Sequence, residues 1–385
     1  MLFSVDAHAI GRHLTGNEVY IRNLVSQFPL LDPEATFVAY VSVNDTGGWV
    51  PEQFLRRRVS ANPFVRLGWE LTARLWRDRP VLLHVQYTAP LGCPVPVVVT
   101  VHDVSFLEHP EFFSPARAAQ LRWSVKRTVQ RAKKILTVSE FSRRAIEKAY
   151  ALPPGRVIVA PNAASSLFRP IDRAAAAARV RARFGIPSPY VLTVGDVVPR
   201  KNQLGLVRAF ASMLRHDPRL PHHLVIAGKE TRYGRQVRRA ARESGAAERI
   251  HFTGFVSDDD LLQLYNACEL FVFPSFYEGF GLPVLEAMAC GRAVVCSNTS
   301  AIPEVADAAA ILVDPRDTSE IARAMRDVLV DAELRLRLER LALHRAAQFS
   351  WRKTAERTLA VYYEVAGVAS RVPADTVQSV SVARP

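Results

Sequence analysis

Short apolar runs rich in β-branched residues alternate with stretches of helical period along almost the whole chain, and this alternation restricts the fold more than any other property of the sequence. Such a rhythm is the signature of βαβ units, whose strands lie parallel because each crossover returns through a helix. In the first half the candidate strands are 2–5, 36–41, 81–85, 95–101, 135–138 and 157–159. A second series follows at 190–194, 223–227, 250–252, 270–273, 293–296 and 310–313. Between them lies Pro161-Asn-Ala-Ala-Ser-Ser-Leu-Phe-Arg-Pro170, then an Ala/Arg helix to about Phe184, which reads as a connection between domains. The expectation is an α/β chain of two Rossmann-like domains facing across a cleft, 1–170 and 171–350, with a loose tail at 367–385. Neither half shows a Gly-x-Gly-x-x-Gly turn, which argues against a bound dinucleotide.

Bulk properties exclude several classes. A chain of 385 residues, nearly half of them hydrophobic, is long enough for two cores and unlike a disordered protein. Cys93, Cys268, Cys290 and Cys296 show no paired spacing, so a disulfide framework or zinc site is not expected and a reducing cytoplasm is. A charge at Asp6 comes too early for a secretory apolar region. The uncharged stretch 81–101 contains Pro90, Gly92, Pro94 and Pro96, which favours strand–loop–strand over a membrane span. The net charge of +13 points to nucleic acid, an anionic membrane surface or anionic substrates. Arg56, Arg57 and Arg58 precede Phe64, Trp69 and Trp76, while Arg122, Lys126, Arg127, Arg131, Lys133 and Lys134 load one long helix. That is either a basic stripe able to lie on a membrane or a solvated face.

One segment carries chemistry. Pro274-Ser-Phe-Tyr-Glu278-Gly-Phe-Gly281-Leu-Pro283-Val-Leu-Glu286-Ala-Met-Ala-Cys-Gly291 sets one carboxylate in a glycine-rich turn and a second in the helix that follows. Gly279 and Gly281 let the backbone approach a ligand, Pro283 suits a first helical turn, and Gly291 suits the stop. The unbonded N–H groups of that helix start favour an anion such as phosphate, and the flanking carboxylates suit sugar hydroxyls. Taken alone, the segment also fits a glycine-containing turn of an ordinary doubly wound sheet.

This segment resembles the E-x7-E motif of retaining family-4 glycosyltransferases of the GT-B fold, and Thr253-Gly-Phe-Val, Pro303-Glu304-Val and Pro199-Arg-Lys-Asn202 match the same family in order. The resemblance implies that Lys201 binds the donor diphosphate, that Glu286 holds ribose hydroxyls and that Glu278 contacts the transferred sugar. It implies that the N–H groups of Phe280, Gly281 and Leu282 face the diphosphate, and that the base lies near Phe255, whose ring fits a core position equally well. Where relatives often carry a basic residue after the glycine of Val194-Gly195, this chain has Asp196, and Arg200 is either the compensating cation or a surface residue. In the first domain, His102 of Thr100-Val-His-Asp103 is assigned the donor sugar near its reacting carbon. The loop Gly11–Glu18, with Gly16 and Asn17, is assigned the acceptor side together with His102 and Asp103. Glu18 stands where relatives often have a second glycine. His84 and Gln86 end a neighbouring strand with a weaker claim, and Ser139-Glu140-Phe-Ser142 is expected to cap a helix. The family's last helix returns to the first domain, which assigns 351–366 there.

Asp258-Asp259-Asp260 has the look of a metal site, but Ser257 before it and Leu261, Leu262 and Leu264 after it fit a capped helix start with acids at its positive end. No metal or other cofactor is expected. The expected activity is retaining transfer of a hexose, GDP-mannose favoured, from a nucleotide diphosphate sugar to a hydroxyl of a sugar or lipid-linked sugar. The competing readings are a glycoside hydrolase using Glu278 and Glu286, and a basic membrane- or nucleic-acid-binding protein with a degenerate site. The chain carries no nucleic-acid motif, and no nucleic-acid partner is expected.

Overall fold

The computed structural model describes residues 1–12, 15–42 and 48–372. The chain divides into two compact units, Met1–Asn162 with the segment from Ser350 onward, and Ala163–Phe349. The stretch 163–170 belongs to the second unit because Asn266 grips it there. The Asn266 side chain donates to Arg169 O at 3.1 Å and accepts from Ile171 N at 2.9 Å.

The first unit is built on a parallel sheet. Its strands are β1 (Leu2–Asp6), β2 (Thr36–Val41), β3 (Phe54–Arg58), β4 (Leu82–Gln86), β5 (Val97–Thr100), β6 (Lys134–Thr137) and β7 (Val157–Val159), in the spatial order β3-β2-β1-β4-β5-β6-β7. Six of the seven sit on predicted runs. β3 was not anticipated: Arg56, Arg57 and Arg58, read as a basic cluster, form an edge strand paired with β2. Charged side chains there discourage edge-to-edge pairing with another chain. Two of the three are also occupied, Arg56 on Val50 O at 2.6 Å and Arg57 on Asp78 at 3.4 Å.

The last helix, Trp351–Ala366, packs on this sheet. Tyr362 and Tyr363 pack their rings against Phe3 of β1, and Tyr363 donates to the buried Asp32. Of the expected tail, residues 367–372 are held: Arg371 lies 2.6 Å from Glu34 and Val372 is buried. From 373 on, that tail lies outside the described residues.

The second unit has the strands β8 (Tyr190–Val194), β9 (His223–Ala227), β10 (Ile250–Gly254), β11 (Leu270–Phe273), β12 (Val294–Ser297) and β13 (Ile311–Val313), in the order β10-β9-β8-β11-β12-β13. All pairings are parallel. The near-continuous apolar text of β8, β9, β11 and β12 reflects a sheet buried on both faces. Leu206, Val207, Phe210 and Met213 of helix Gln203–His216 cover one such face together with Ile321, Met325 and Val328 of helix Thr318–Val330.

Each sheet reverses its direction of winding once, between β1 and β4 in the first unit and between β8 and β11 in the second. Loops leaving the carboxyl ends of two strands at such a point turn to opposite faces and leave a crevice, the usual place for a ligand in an open α/β sheet.

Candidate active site

The crevice of the second sheet is lined by the loops after β8 and β11. After β8 the chain passes Gly195 and makes a single turn, Pro199–Lys201, before Asn202 caps the next helix from a left-handed conformation (φ 55°). The Lys201 stem lies back along Gly195, where an added Cβ would stand 3.3 Å from Lys201 Cε, and the φ of +143° favours glycine there. After β11 the loop Pro274–Gly281 supplies Glu278.

Those two loops meet as an ion cluster. Lys201 Nζ lies 2.7 Å from Glu278 Oε1, and Arg200 reaches Oε2 at 2.7 Å. Arg200 also donates to Tyr277 O at 2.5 Å, so it is a member of this cluster and not a free surface residue. Ser275 Oγ donates to Glu278 Oε1 at 2.6 Å, and Ser300 Oγ accepts from the Glu278 amide at 3.0 Å. Lys201 Nζ further sits 4.6 Å from the centre of the Phe273 ring. Burial by itself would raise the Glu278 carboxyl, but Arg200 and then Lys201 outweigh it and hold the group at about 2. Lys201 moves down: burial is the largest influence, Glu278 opposes it, and Arg200 adds repulsion. Asp196 contributes a weaker attraction to Lys201. It therefore does not cancel the cations but helps keep one of them charged.

Gly281 starts helix Leu282–Ala289 with φ +107°, and a Cβ on it would fall 2.6 Å from Ile302 Cδ1. That backbone leaves the N–H groups of Phe280, Gly281 and Leu282 without an acceptor among the described residues. One turn on, Glu286 is buried and accepts from Tyr265 OH at 2.9 Å. Phe280 rests its ring on Phe349, 5.7 Å between centres. Phe255 is exposed, which removes the core alternative for its ring. The acids at 258–260 form the first turn of helix Asp258–Ala267, and Ser257 Oγ accepts from Asp260 N at 3.1 Å, as a capping residue does. Ser275, Ser300 and Tyr265 were absent from the sequence reading. Only Ser275, three residues before Glu278 in the same turn, carried a local signal.

On the first unit, His102 follows β5. Its Nε2 lies 2.8 Å from Gln86 Oε1, while Gln86 Nε2 donates to Asn17 O at 3.2 Å. Because that amide presents its oxygen, Nε2 of His102 carries the proton and Nδ1 is left as an acceptor. Burial pushes His102 down to about 4 against a weaker pull from Asp103, so the ring is neutral near pH 7. Tyr20 sets its ring edge-on at 4.8 Å, and Ser142 Oγ donates to His102 O at 2.9 Å. The Ser139 segment does cap its helix, Ser142 N to Ser139 Oγ at 3.0 Å, and through Ser142 it also fixes the His102 backbone.

On this side the reading of 11–18 as a loop needs correction, and the other side chains make the following contacts. Gly16 and Asn17 are not in an open loop: helix Thr15–Leu31 has already begun, and Asn17 offers only its carbonyl to Gln86. Glu18, in that first turn, reaches back to accept from Gly11 N at 2.8 Å, a favourable place for an acid at a helix start. Asp103 spends Oδ1 on Ser105, whose N and Oγ lie at 2.9 and 2.6 Å, and so shapes the turn. His84 is also committed, held between Tyr362 OH at 2.6 Å and Thr100 Oγ1 at 2.7 Å.

Residues 178–345 match the family described as glycosyl transferases group 1, and residues 14–165 match glycosyltransferase family 4. O-antigen chain mannosyltransferase B of Escherichia coli is 36% identical over 269 residues, 69% of this chain and 69% of that protein. The chain belongs to the group 1 glycosyltransferases. The serotype-specific mannosyltransferase WbdA of Escherichia coli is 33% identical over 258 residues, 66% of this glycosyltransferase but only 32% of WbdA's own length. The Anabaena protein HepE, solved with UDP and glucose, superposes with a TM-score of 0.73 at 19% identity, covering 94% of this chain and 98% of that one. The two parallel-sheet units are thus those of the GT-B class. Among the described residues, no helix is long and apolar enough to cross a membrane.

Proposed function

We propose that this glycosyltransferase moves a hexose, mannose from GDP-mannose being favoured, to a hydroxyl of a sugar or lipid-linked sugar, with retention of anomeric configuration and without a metal ion. The observation that carries this is the ion cluster: two cations converge on Glu278 beside unbonded helix amides. The two positive groups that meet on Glu278, together with the helix amides, suit the negative charge that gathers on a departing diphosphate. Glu278 is assigned the hydroxyls of the transferred sugar and Glu286 those of the ribose. The mannosyltransferase names of the two Escherichia coli relatives favour mannose.

In the reaction we assign, the bond from sugar C1 to the diphosphate oxygen breaks, and the acceptor oxygen bonds to C1 on the face the diphosphate leaves. The acceptor's proton passes to a diphosphate oxygen. Lys201, Arg200 and the amides of Phe280, Gly281 and Leu282 stabilise the leaving group. His102 is assigned a hydroxyl of the transferred sugar through its Nδ1 lone pair.

For the first unit we assign contact with an anionic membrane surface. Phe64, Trp69, Trp76 and Trp123 are exposed, and Trp123 shares its helix with Arg122 and Lys126. Arg127 and Arg131, predicted for that basic stripe, instead donate to Leu91 O, both at 3.3 Å, and brace the loop after β4.

The test is release of nucleoside diphosphate from GDP-mannose and UDP-glucose in EDTA, with methyl α-D-mannoside as acceptor, and NMR assignment of the new anomeric centre. Transfer in EDTA with an α product and loss of at least tenfold in kcat/KM for Lys201→Met is expected. A β product, a requirement for added divalent metal, or an unaffected Lys201→Met would each remove the corresponding part of the proposal. Sedimentation with phosphatidylglycerol vesicles at low salt tests the membrane assignment, and a chain that stays in the supernatant refutes it.

A further inference from the structure

The crevice of the first sheet, between β1 and β4, holds a pair of side chains with no role so far. Asp6 ends β1, buried to 2% exposure, and His8 follows it in the turn with 19% of its side chain exposed. The Asp6 carboxylate accepts from His8 Nδ1 at 3.0 Å and from the His8 amide at 3.3 Å, and its other oxygen faces the buried Arg66 Nε at 3.5 Å. A carboxylate cannot donate, so Nδ1 carries a proton, and in the neutral ring Nε2 is then a lone-pair acceptor. Nε2 has no partner among the described residues.

The turn that carries His8 is fixed from several sides. Ala7 N bonds Tyr40 O at 2.9 Å, Ile10 N bonds Ala7 O at 3.1 Å, and Ser42 Oγ donates to His8 O at 2.8 Å. Across the crevice, the end of β4 brings Gln86, which orders His102, and then Tyr87 in a left-handed conformation (φ 61°). A non-glycine residue at such a φ is costly, and residues of this kind cluster at ligand sites. The second sheet places Lys201 and Glu278 in the equivalent position, so the same topological argument marks this crevice.

We infer that Asp6 and His8 form a sugar-hydroxyl site, in which the rigidly held His8 Nε2 accepts a hydrogen bond from a hydroxyl of the acceptor. The site rests on the proposed transferase reading for the identity of that sugar, though not for its own geometry. A lone-pair nitrogen aimed by a carboxylate suits a neutral hydroxyl donor and not a phosphate oxygen, which has no proton to give. His8 is therefore a binding and positioning residue, with no proton transfer assigned to it.

The test uses the full chain with methyl α-D-mannoside as probe and guanosine diphosphate as an independent control. Long-range 1H–15N NMR of the free protein is expected to show Nδ1 protonated and Nε2 bare, with the Nε2 resonance moving as glycoside is added. His8→Asn places an amide where Nδ1 was, keeping the link to Asp6 while removing the distal acceptor. It is expected to lose at least fivefold in glycoside saturation-transfer signal and to raise the acceptor KM, with guanosine diphosphate affinity and Tm unchanged. A wild-type His8 protonated on Nε2, an Nε2 resonance unmoved by glycoside, or a His8→Asn chain that binds glycoside like wild type overturns the inference. Movement of Nε2 with inorganic phosphate in place of glycoside does so too, and makes the pair an anion site. Loss of guanosine diphosphate binding by the wild type would sink the donor reading alone, because the Nε2 measurement still decides the dyad.

Discussion

Replacing Glu278 with Gln isolates what the ion cluster contributes, and its size follows from the structure. The carboxyl is held at about 2 against an ordinary 4.5, the attraction of Arg200 and Lys201 outweighing the cost of burial. At about 1.4 kcal/mol per pH unit, the folded state gains roughly 3 kcal/mol from this group once it is ionised. The sign is that of a depressed acid: the gain is complete well above pH 4.5, about half of it is gone near pH 3, and it vanishes as pH falls through about 2. Gln keeps the shape and accepts from Lys201 and Ser275, but it leaves two cations facing each other in a largely buried place. For a unit of this size each kcal/mol moves Tm by about 2–4 °C. The Glu278→Gln chain is therefore expected to melt roughly 6–12 °C below wild type at pH 7, with the gap narrowing between pH 4.5 and pH 3.

Circular dichroism melts of both chains across that range are the assay. Adding guanosine diphosphate makes the experiment sharper, since an anion can replace the missing carboxylate. A ligand at about a hundred times its Kd stabilises by about 2.7 kcal/mol, so nucleotide is expected to recover most of the loss while turnover stays abolished. A variant that melts within 2 °C of wild type at pH 7, or whose deficit does not shrink on acidification, refutes the reasoning. The cations would then be solvated independently of Glu278, and the 2.7 Å contacts would carry no net energy.

Two further expectations concern backbone and orientation. Gly281→Ala places a Cβ 2.6 Å from Ile302 Cδ1 at φ +107°, so a loss of about 1–3 kcal/mol and at least tenfold weaker nucleoside diphosphate binding are expected from melts and calorimetry; normal binding would detach the helix start from the anion. Gln86→Leu removes the acceptor that holds the His102 proton on Nε2, and the ring is expected to populate both tautomers by NMR while kcat falls about tenfold; a single unchanged tautomer would show that Tyr20 and Ser142 suffice to orient His102.

Much of the fold was legible because parallel strands buried on both faces leave long apolar runs, and every predicted run became a strand. The one strand missed, β3, failed for a physical reason. It is an edge strand with no partner on its outer side among the described residues, and Phe54-Leu-Arg-Arg-Arg58 therefore has no need of a continuous apolar pattern. The side chains lining the second crevice, Glu278, Glu286 and Lys201, were legible because a glycine turn, a helix start and a strand-end lysine are local signals. Ser300 and Tyr265 were not, since each reaches its glutamate across 22 and 21 residues of sequence by tertiary packing. The first unit misled for the opposite reason. Gly16 and Glu18 look like loop residues in isolation, but both lie in the first turn of helix Thr15–Leu31, from which Glu18 accepts from the Gly11 amide.

The placement of charge at the second crevice explains why stability and ligand binding need not compete there. A buried cation pair without Glu278 would be self-repelling. Glu278 bonds both cations, while the adjoining helix amides are left without an acceptor among the described residues. Burial lowers the proton affinity of Lys201, Glu278 opposes that fall and Arg200 adds repulsion. On the proposed donor reading, an arriving diphosphate brings negative charge to both cations and to the unbonded amides of the helix start. Lys201 and Glu278 meet there, 77 residues apart in sequence, because the loops that carry them leave β8 and β11 on either side of the point where the sheet reverses its winding.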